Sequence, residues 1–127
     1  MSAWLRPPVA RLLLRALAAL LTICLLVQFF IAGMAAMTDP TWWSYHSAWV
    51  NIFQWLVVPL PVLAWQAGPP RTWRMLLACT PLLQIALQYV LAHRAIDGRL
   101  SIGIGLHALD AALLLLIAAA LAVGLLD

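Results

Sequence analysis

Nine strongly polar side chains stand inside apolar stretches of this 127-residue chain, and they are the residues that could do chemistry. They are Gln28, His46, Asn51, Gln54, Gln84, Gln88, His93, His107 and Asp110. Imidazoles bind metal ions and haem iron, and a carboxylate can orient a histidine ligand. Because such groups are costly to bury in hydrocarbon, they indicate a functional site by default.

The spacing of these residues places them on shared helix faces, since side chains three or four residues apart are neighbours on a helix. The pairs are Asn51 with Gln54, Gln84 with Gln88, and His107 with Asp110. Gly103 precedes His107 by about one turn and leaves space that a flat group or a close helix could fill. The pattern predicts a polar pocket covered by the aromatic segment from Thr41 to His46.

The first interpretation is a b-type haem with two axial histidines. His46 and His107 lie on the second and fourth apolar stretches at similar depth, and these stretches are diagonal partners in an up-down four-helix bundle. Two facing imidazoles could ligate one iron, and filled axial positions favour electron transfer over oxygen binding. We therefore expect transmembrane or quinone-linked electron transfer.

Other polar residues are predicted to support this haem. Those predicted to line it are Gln54, Gln88, Arg94 and Gly103. Those predicted to stand behind the lining are Gln28, Asn51, Gln84 and Asp110. Arg94 could pair with a propionate, and Asp110 could orient the imidazole of His107 through its second nitrogen.

Two other interpretations stay open. His46, His93 and His107 could converge on a non-haem metal ion such as zinc or copper, with Asp110 as a fourth ligand or general base. Alternatively, the polar side chains only join the helices, each hydrogen bond contributing about 1 kcal/mol. The chain would then be a non-catalytic accessory subunit of a larger membrane complex, or a homo-oligomer.

The composition identifies the kind of protein that positions these residues. The chain is 66% hydrophobic and 9% charged, whereas soluble domains are nearer half apolar and a quarter charged. The net charge of +3 is too small to indicate a nucleic-acid partner. Nothing resembles the glycine loop of nucleotide-binding proteins or the serine motif of hydrolases, so the chain is more typical of a binding protein than of an enzyme. The composition predicts an integral membrane protein in contact with the lipid bilayer.

Four apolar stretches have the roughly 20 residues that a membrane-spanning helix requires. They cover about residues 10–37, 44–66, 73–93 and 102–125. The connections are short, so we predict one all-α domain over residues 1–127, an up-down-up-down bundle of four transmembrane helices. Pro59, Pro61 and Pro81 are expected to bend the second and third helices.

The arginines predict the orientation of the bundle. Arg6, Arg11, Arg15, Arg71 and Arg74 lie at the end that holds both termini, and only Arg94 and Arg99 lie at the other. By the positive-inside rule both termini are cytoplasmic, which places the polar pocket in the outer leaflet.

Three short motifs resemble a known family. They are Gln28-Phe29-Phe30-Ile31-Ala32-Gly33, the His46 that opens the second span, and Leu106-His107-Ala108-Leu109-Asp110-Ala111 in the fourth. They resemble an uncharacterised family of small bacterial four-span membrane proteins, a domain of unknown function. The layout is also distantly similar to four-helix b-type haem membrane domains. The resemblance implies a bacterial inner-membrane location, and the haem interpretation implies quinone or an extracytoplasmic redox protein as a partner.

Overall fold

A computed structural model describes residues 5–69 and 72–125 of the chain. Pro70 and Arg71 lie outside the described residues. The predicted contribution of Arg71 to the orientation of the bundle therefore also lies outside them. The described part consists of helices and short connections, without strands. Its elements are α1 (Pro7–Met37), α2 (Trp42–Phe53), a 3-10 turn (Gln54–Val57), α3 (Leu60–Gln66), α4 (Thr72–Ile96) and α5 (Gly103–Ala122).

These elements form four segments that are long and apolar enough to cross a membrane. The segments are Pro7–Met37, Trp42–Gln66, Thr72–Ile96 and Gly103–Ala122. Leu12, Leu83 and Leu116 are among many large apolar side chains on the outside, whereas Asp110 and Arg74 are buried. An apolar exterior around buried polar groups is the arrangement of a membrane protein. The predicted all-α protein with four transmembrane helices is therefore confirmed.

The four segments pack as an antiparallel ring. Helix α1 contacts α2, α3 and α5, while α4 contacts α3 and α5. The amide of Gln28 reaches the backbone oxygen of His46 at one end, and Arg11 reaches that of Ala67 at the other, so the first two spans are antiparallel. Because the ring closes through α1 and α5, the second and fourth spans are diagonal partners. We call the end that holds His46, His93 and His107 the histidine end.

Prolines explain why the second span is broken. Pro59 has no N–H to give to the carbonyl of Trp55, and that oxygen accepts from the Val58 N–H at 3.3 Å instead. A bond between residues three apart tightens the helix, which produces the 3-10 turn over Gln54–Val57. Pro81 has a milder effect, because α4 continues unbroken around it.

The helix ends differ slightly from the predicted limits. Helix α1 begins at Pro7 rather than near residue 10, since proline suits the first turn, where its missing N–H costs nothing. Helix α4 continues to Ile96, so His93 lies in its last turn rather than at its end. Helix α5 ends at Ala122, and Gly124 then adopts a φ of +66°.

Gly103 marks the closest approach of α4 and α5. A β-carbon added at this glycine would lie 2.7 Å from the Cβ of Ala95 and 3.2 Å from the backbone oxygen of Leu91. The sequence predicts either a flat group or a close helix beside Gly103. In the structure the close helix α4 fills this space. Gly105, two residues further along, has nothing within 4 Å of the corresponding position.

We predict that Gly103→Ala destabilises the bundle, because Ala95 or the α4 backbone must move to admit the new methyl group. The expected loss is about 1–3 kcal/mol, the usual cost of overpacking. The measurement is thermal unfolding of the purified protein in detergent. Gly105→Ala is the matched control, and equal melting temperatures for the two variants would contradict this packing.

Candidate functional site

The carboxylate of Asp110 is the centre of the polar residues at the histidine end. Asp110 lies on α5 and is only 7% exposed. Its Oδ2 accepts a hydrogen bond from the Gln88 amide at 2.7 Å, and its Oδ1 accepts one from the Gln84 amide at 3.3 Å. Both glutamines lie on the same face of α4, as their spacing predicts. The acid is therefore held by two neutral donors on one neighbouring helix.

Gln88 extends this arrangement to His107. Its amide also donates to the backbone oxygen of His107 at 2.9 Å, and its own backbone oxygen lies 3.1 Å from the Nδ1 of that imidazole. Because a carbonyl oxygen only accepts, Nδ1 carries the proton and Nε2 of the neutral ring does not. A histidine held in this way presents an unprotonated Nε2, the form in which imidazole ligates a metal.

His46 faces His107 across the bundle diagonal. The two ring centroids are 6.4 Å apart and the ring planes are inclined at 50°. The edge of the Trp43 ring contacts the His46 imidazole, with 5.4 Å between centroids. The Gln28 amide donates to the backbone oxygen of His46 at 3.2 Å, which ties α1 to the same site. The structure thus brings the two predicted haem ligands together.

Within residues 5–69 and 72–125, three buried polar atoms at the histidine end have no hydrogen-bond partner. They are Oε1 of Gln28, Nδ1 of His46 and Oε1 of Gln84. A buried unpaired polar atom costs about 1–3 kcal/mol, so native proteins rarely retain several of them in one layer. This group of atoms marks the histidine end as a place where a polar ligand or ordered water would be stabilised.

Tyr89 is a member of the site that the polar pattern of the sequence missed. Its hydroxyl lies 3.1 Å from Oδ1 of Asn51 and 3.0 Å from Oε1 of Gln54, so it joins α4 to the second span. The signal was a tyrosine within an apolar helix, since a tyrosine hydroxyl in such a position needs a partner.

His93 is turned away from the other two histidines. Its Nδ1 lies 2.7 Å from the backbone oxygen of Tyr89, four residues earlier in α4, and its side chain is exposed. No group of three or more His, Cys, Asp or Glu side chains among residues 5–69 and 72–125 could hold a metal ion. The structure therefore brings His46 and His107 together but does not add His93 to them, and the non-haem metal stays a prediction.

The remaining predicted residues lie around this centre. Arg94 is exposed in the last turn of α4. In the segment from Trp42 to His46, the Trp42 ring contacts both Phe30 and Tyr45 edge-on. Asp39 lies in the connection between α1 and α2. Hydrogen bonds from the Thr41 N–H, and to a smaller extent from the Thr41 hydroxyl, lower the pKa of its carboxyl group.

The fold and the site define a four-span helical membrane protein with a buried polar layer at one end. The sequence model of the protein family DUF6220, a family of unknown function, matches residues 28–96, which is more than half of the chain. The chain belongs to this family, as the motifs of its first two spans predict. No curated protein and no solved structure matches it. The match includes Gln28 and His46 and ends before His107 and Asp110.

We predict that Gln88→Leu destabilises the protein by about 1–3 kcal/mol, because Asp110 then loses its shortest hydrogen bond while it stays buried. The double variant Gln88→Leu/Asp110→Leu should recover part of this loss, since the unpaired carboxylate is gone. Thermal unfolding of Gln88→Leu, Asp110→Leu and the double variant gives the coupling energy. Strictly additive losses would contradict a direct bond between the two side chains.

Proposed function

We propose that this protein binds a b-type haem between His46 and His107 and takes part in electron transfer within the membrane. The observation that carries the proposal is the 6.4 Å separation of the two imidazole centroids across the bundle diagonal. Metal–imidazole bonds of about 2 Å place the centroids of two rings on opposite sides of one ion roughly 6 Å apart. His46 and His107 are therefore spaced so that both could hold one haem iron.

The protonation of His107 supports the same assignment. Ligating histidines usually donate their second ring N–H to a carbonyl or carboxylate, and Nδ1 of His107 does so to the backbone of Gln88. The sequence predicts that Asp110 orients the His107 imidazole directly. In the structure Asp110 instead accepts a hydrogen bond from the Gln88 amide, and the backbone oxygen of Gln88 contacts the imidazole. Its role in this proposal is to position His107.

When bound, the haem would supply a one-electron iron couple, while the protein supplies ligation, orientation and a low-dielectric surrounding. Held by both His46 and His107, the haem would be suited to electron transfer rather than to oxygen binding. A quinol-class donor in the bilayer and an extracytoplasmic redox protein as acceptor would suit a site near one end of the bundle. Arg94 lies exposed at that end, where a propionate would find a cationic partner.

We also propose the bacterial inner membrane as the location, with both termini in the cytoplasm. Arg11, Arg15 and Arg74 lie at the end opposite the histidines. Because basic residues are enriched on the cytoplasmic side, this distribution favours a histidine end in the outer leaflet. Arg94 and Arg99 are the smaller opposing group.

The second candidate function is that of an accessory subunit without a cofactor. Both carboxylate oxygens of Asp110 are hydrogen-bonded within the chain, as expected where polar groups only join helices. Exposed aromatic side chains such as Trp55 would then contact a neighbouring membrane subunit or a second copy of the chain.

Visible spectroscopy of the detergent-purified protein, expressed with haem supplied, distinguishes the two candidates. We predict a Soret band with sharp α and β bands after reduction by dithionite, which disappear in His46→Ala and in His107→Ala. His93→Ala is the matched control, because that imidazole is exposed and bonded to its own helix. It should retain the full spectrum.

A colourless protein that is folded, as judged by thermal unfolding, would overturn the haem proposal and leave the accessory subunit. A spectrum that survives the loss of either His46 or His107 would overturn the assignment of the ligands.

A further inference from the structure

We propose that the outer groove between α4 and α5 binds a neutral molecule of the quinol class, with a hydroxyl-bearing ring and an apolar chain. That the groove binds a ligand is argued from the geometry of the groove alone. That this ligand supplies electrons rests on the proposed function. The groove has a volume of about 310 Å³. It is lined by Leu87, Leu91, Leu106, Leu109, Leu113 and Asp110.

The walls of the groove are apolar and open to the membrane. Four of the five leucines are exposed on the outside of the bundle, Leu109 most of all at 58%. Side chains on the outside of a transmembrane helix contact lipid, so a ligand would enter from the hydrocarbon region. A chain of methyl-branched or methylene units matches these walls, because it buries apolar surface on both sides.

The floor of the groove is formed by Asp110, the polar residue in its lining, whose oxygens accept hydrogen bonds. The Gln84 and Gln88 side-chain amides donate one hydrogen bond to each of these oxygens, which leaves further lone pairs on the Asp110 side chain. A ligand that donates a hydrogen bond would therefore gain more from this floor than a lipid acyl chain, which has no donor.

The depth of Asp110 favours a neutral donor over a lipid ammonium group. Asp110 lies seven residues from the first residue of α5, Gly103, which is roughly 10 Å along the helix axis at about 1.5 Å per residue. A charged headgroup at that depth would lose its hydration, whereas a phenolic hydroxyl on an apolar ring carries no net charge. The depth of Asp110 and its capacity to accept hydrogen bonds therefore favour a quinol ring over a charged lipid headgroup.

The groove is also next to the proposed electron acceptor. Asp110 lies one helical turn from His107, and the Gln88 amide is bonded both to the Asp110 carboxylate and to the His107 backbone. A ring bound on Asp110 would therefore stand about one helical turn from His107.

The test is equilibrium binding of decylubiquinol, kept reduced, to the protein in lipid nanodiscs, with the bound fraction extracted and quantified. We expect Leu109→Trp to weaken binding about tenfold by filling the groove. Leu116→Trp is the matched control, because Leu116 lies two turns further along α5, is 65% exposed and does not line the groove. The oxidised quinone, which cannot donate, should bind about tenfold more weakly than the quinol.

The role of Asp110 is tested in the same assay. Asp110→Asn should weaken quinol binding, while Asp97→Asn, which removes an exposed acid elsewhere, should not. Equal binding by Leu109→Trp and Leu116→Trp, or equal affinity for quinol and quinone, would overturn the proposal. Because the assay is run on protein with and without haem, its failure is distinguishable from failure of the haem proposal.

Discussion

The hydrogen bonding of one buried carboxylate determines how the histidine end is built. Asp110 cannot be left unpaired in an apolar bundle, and the structure provides it with the side-chain amides of Gln84 and Gln88. These bonds fix the rotation of α4 relative to α5, since both glutamines must face the acid. Gln88 also contacts the His107 imidazole through its backbone oxygen, so the acid, the glutamine and the ring belong to one connected network.

The two ends of the bundle use their polar residues differently. At the end opposite the histidines, Arg11 and Arg74 bond to the backbone oxygens of Ala67 and Gly68, where the second span ends. Those bonds join the N-terminal parts of α1 and α4 to the segment that follows α3. At the histidine end, polar side chains from all four spans meet in one layer, and three buried atoms of that layer have no partner. This difference favours ligand binding at the histidine end and a structural role at the other.

Much of this architecture could be predicted from the sequence, because apolar stretches of spanning length define helices and polar residues within them define depth. The predicted diagonal placement of His46 and His107 follows from the order of the spans. Sequence periodicity could not fix how each helix is rotated or which rotamer each side chain adopts. For that reason the sequence could not predict the partners of the Tyr89 hydroxyl, the bond of His93 to its own helix, or the close contact between Gly103 and Ala95.

In the function that we propose, His46 and His107 would together hold one haem iron. The electron paramagnetic resonance spectrum of the oxidised protein tests it most directly, because the spin state of ferric iron reports both axial ligands. We predict a low-spin ferric signal in the wild type and in His93→Ala, and its loss in His46→Ala and His107→Ala. A high-spin signal in the wild type, or no ferric haem signal from protein expressed with haem, would contradict the claim.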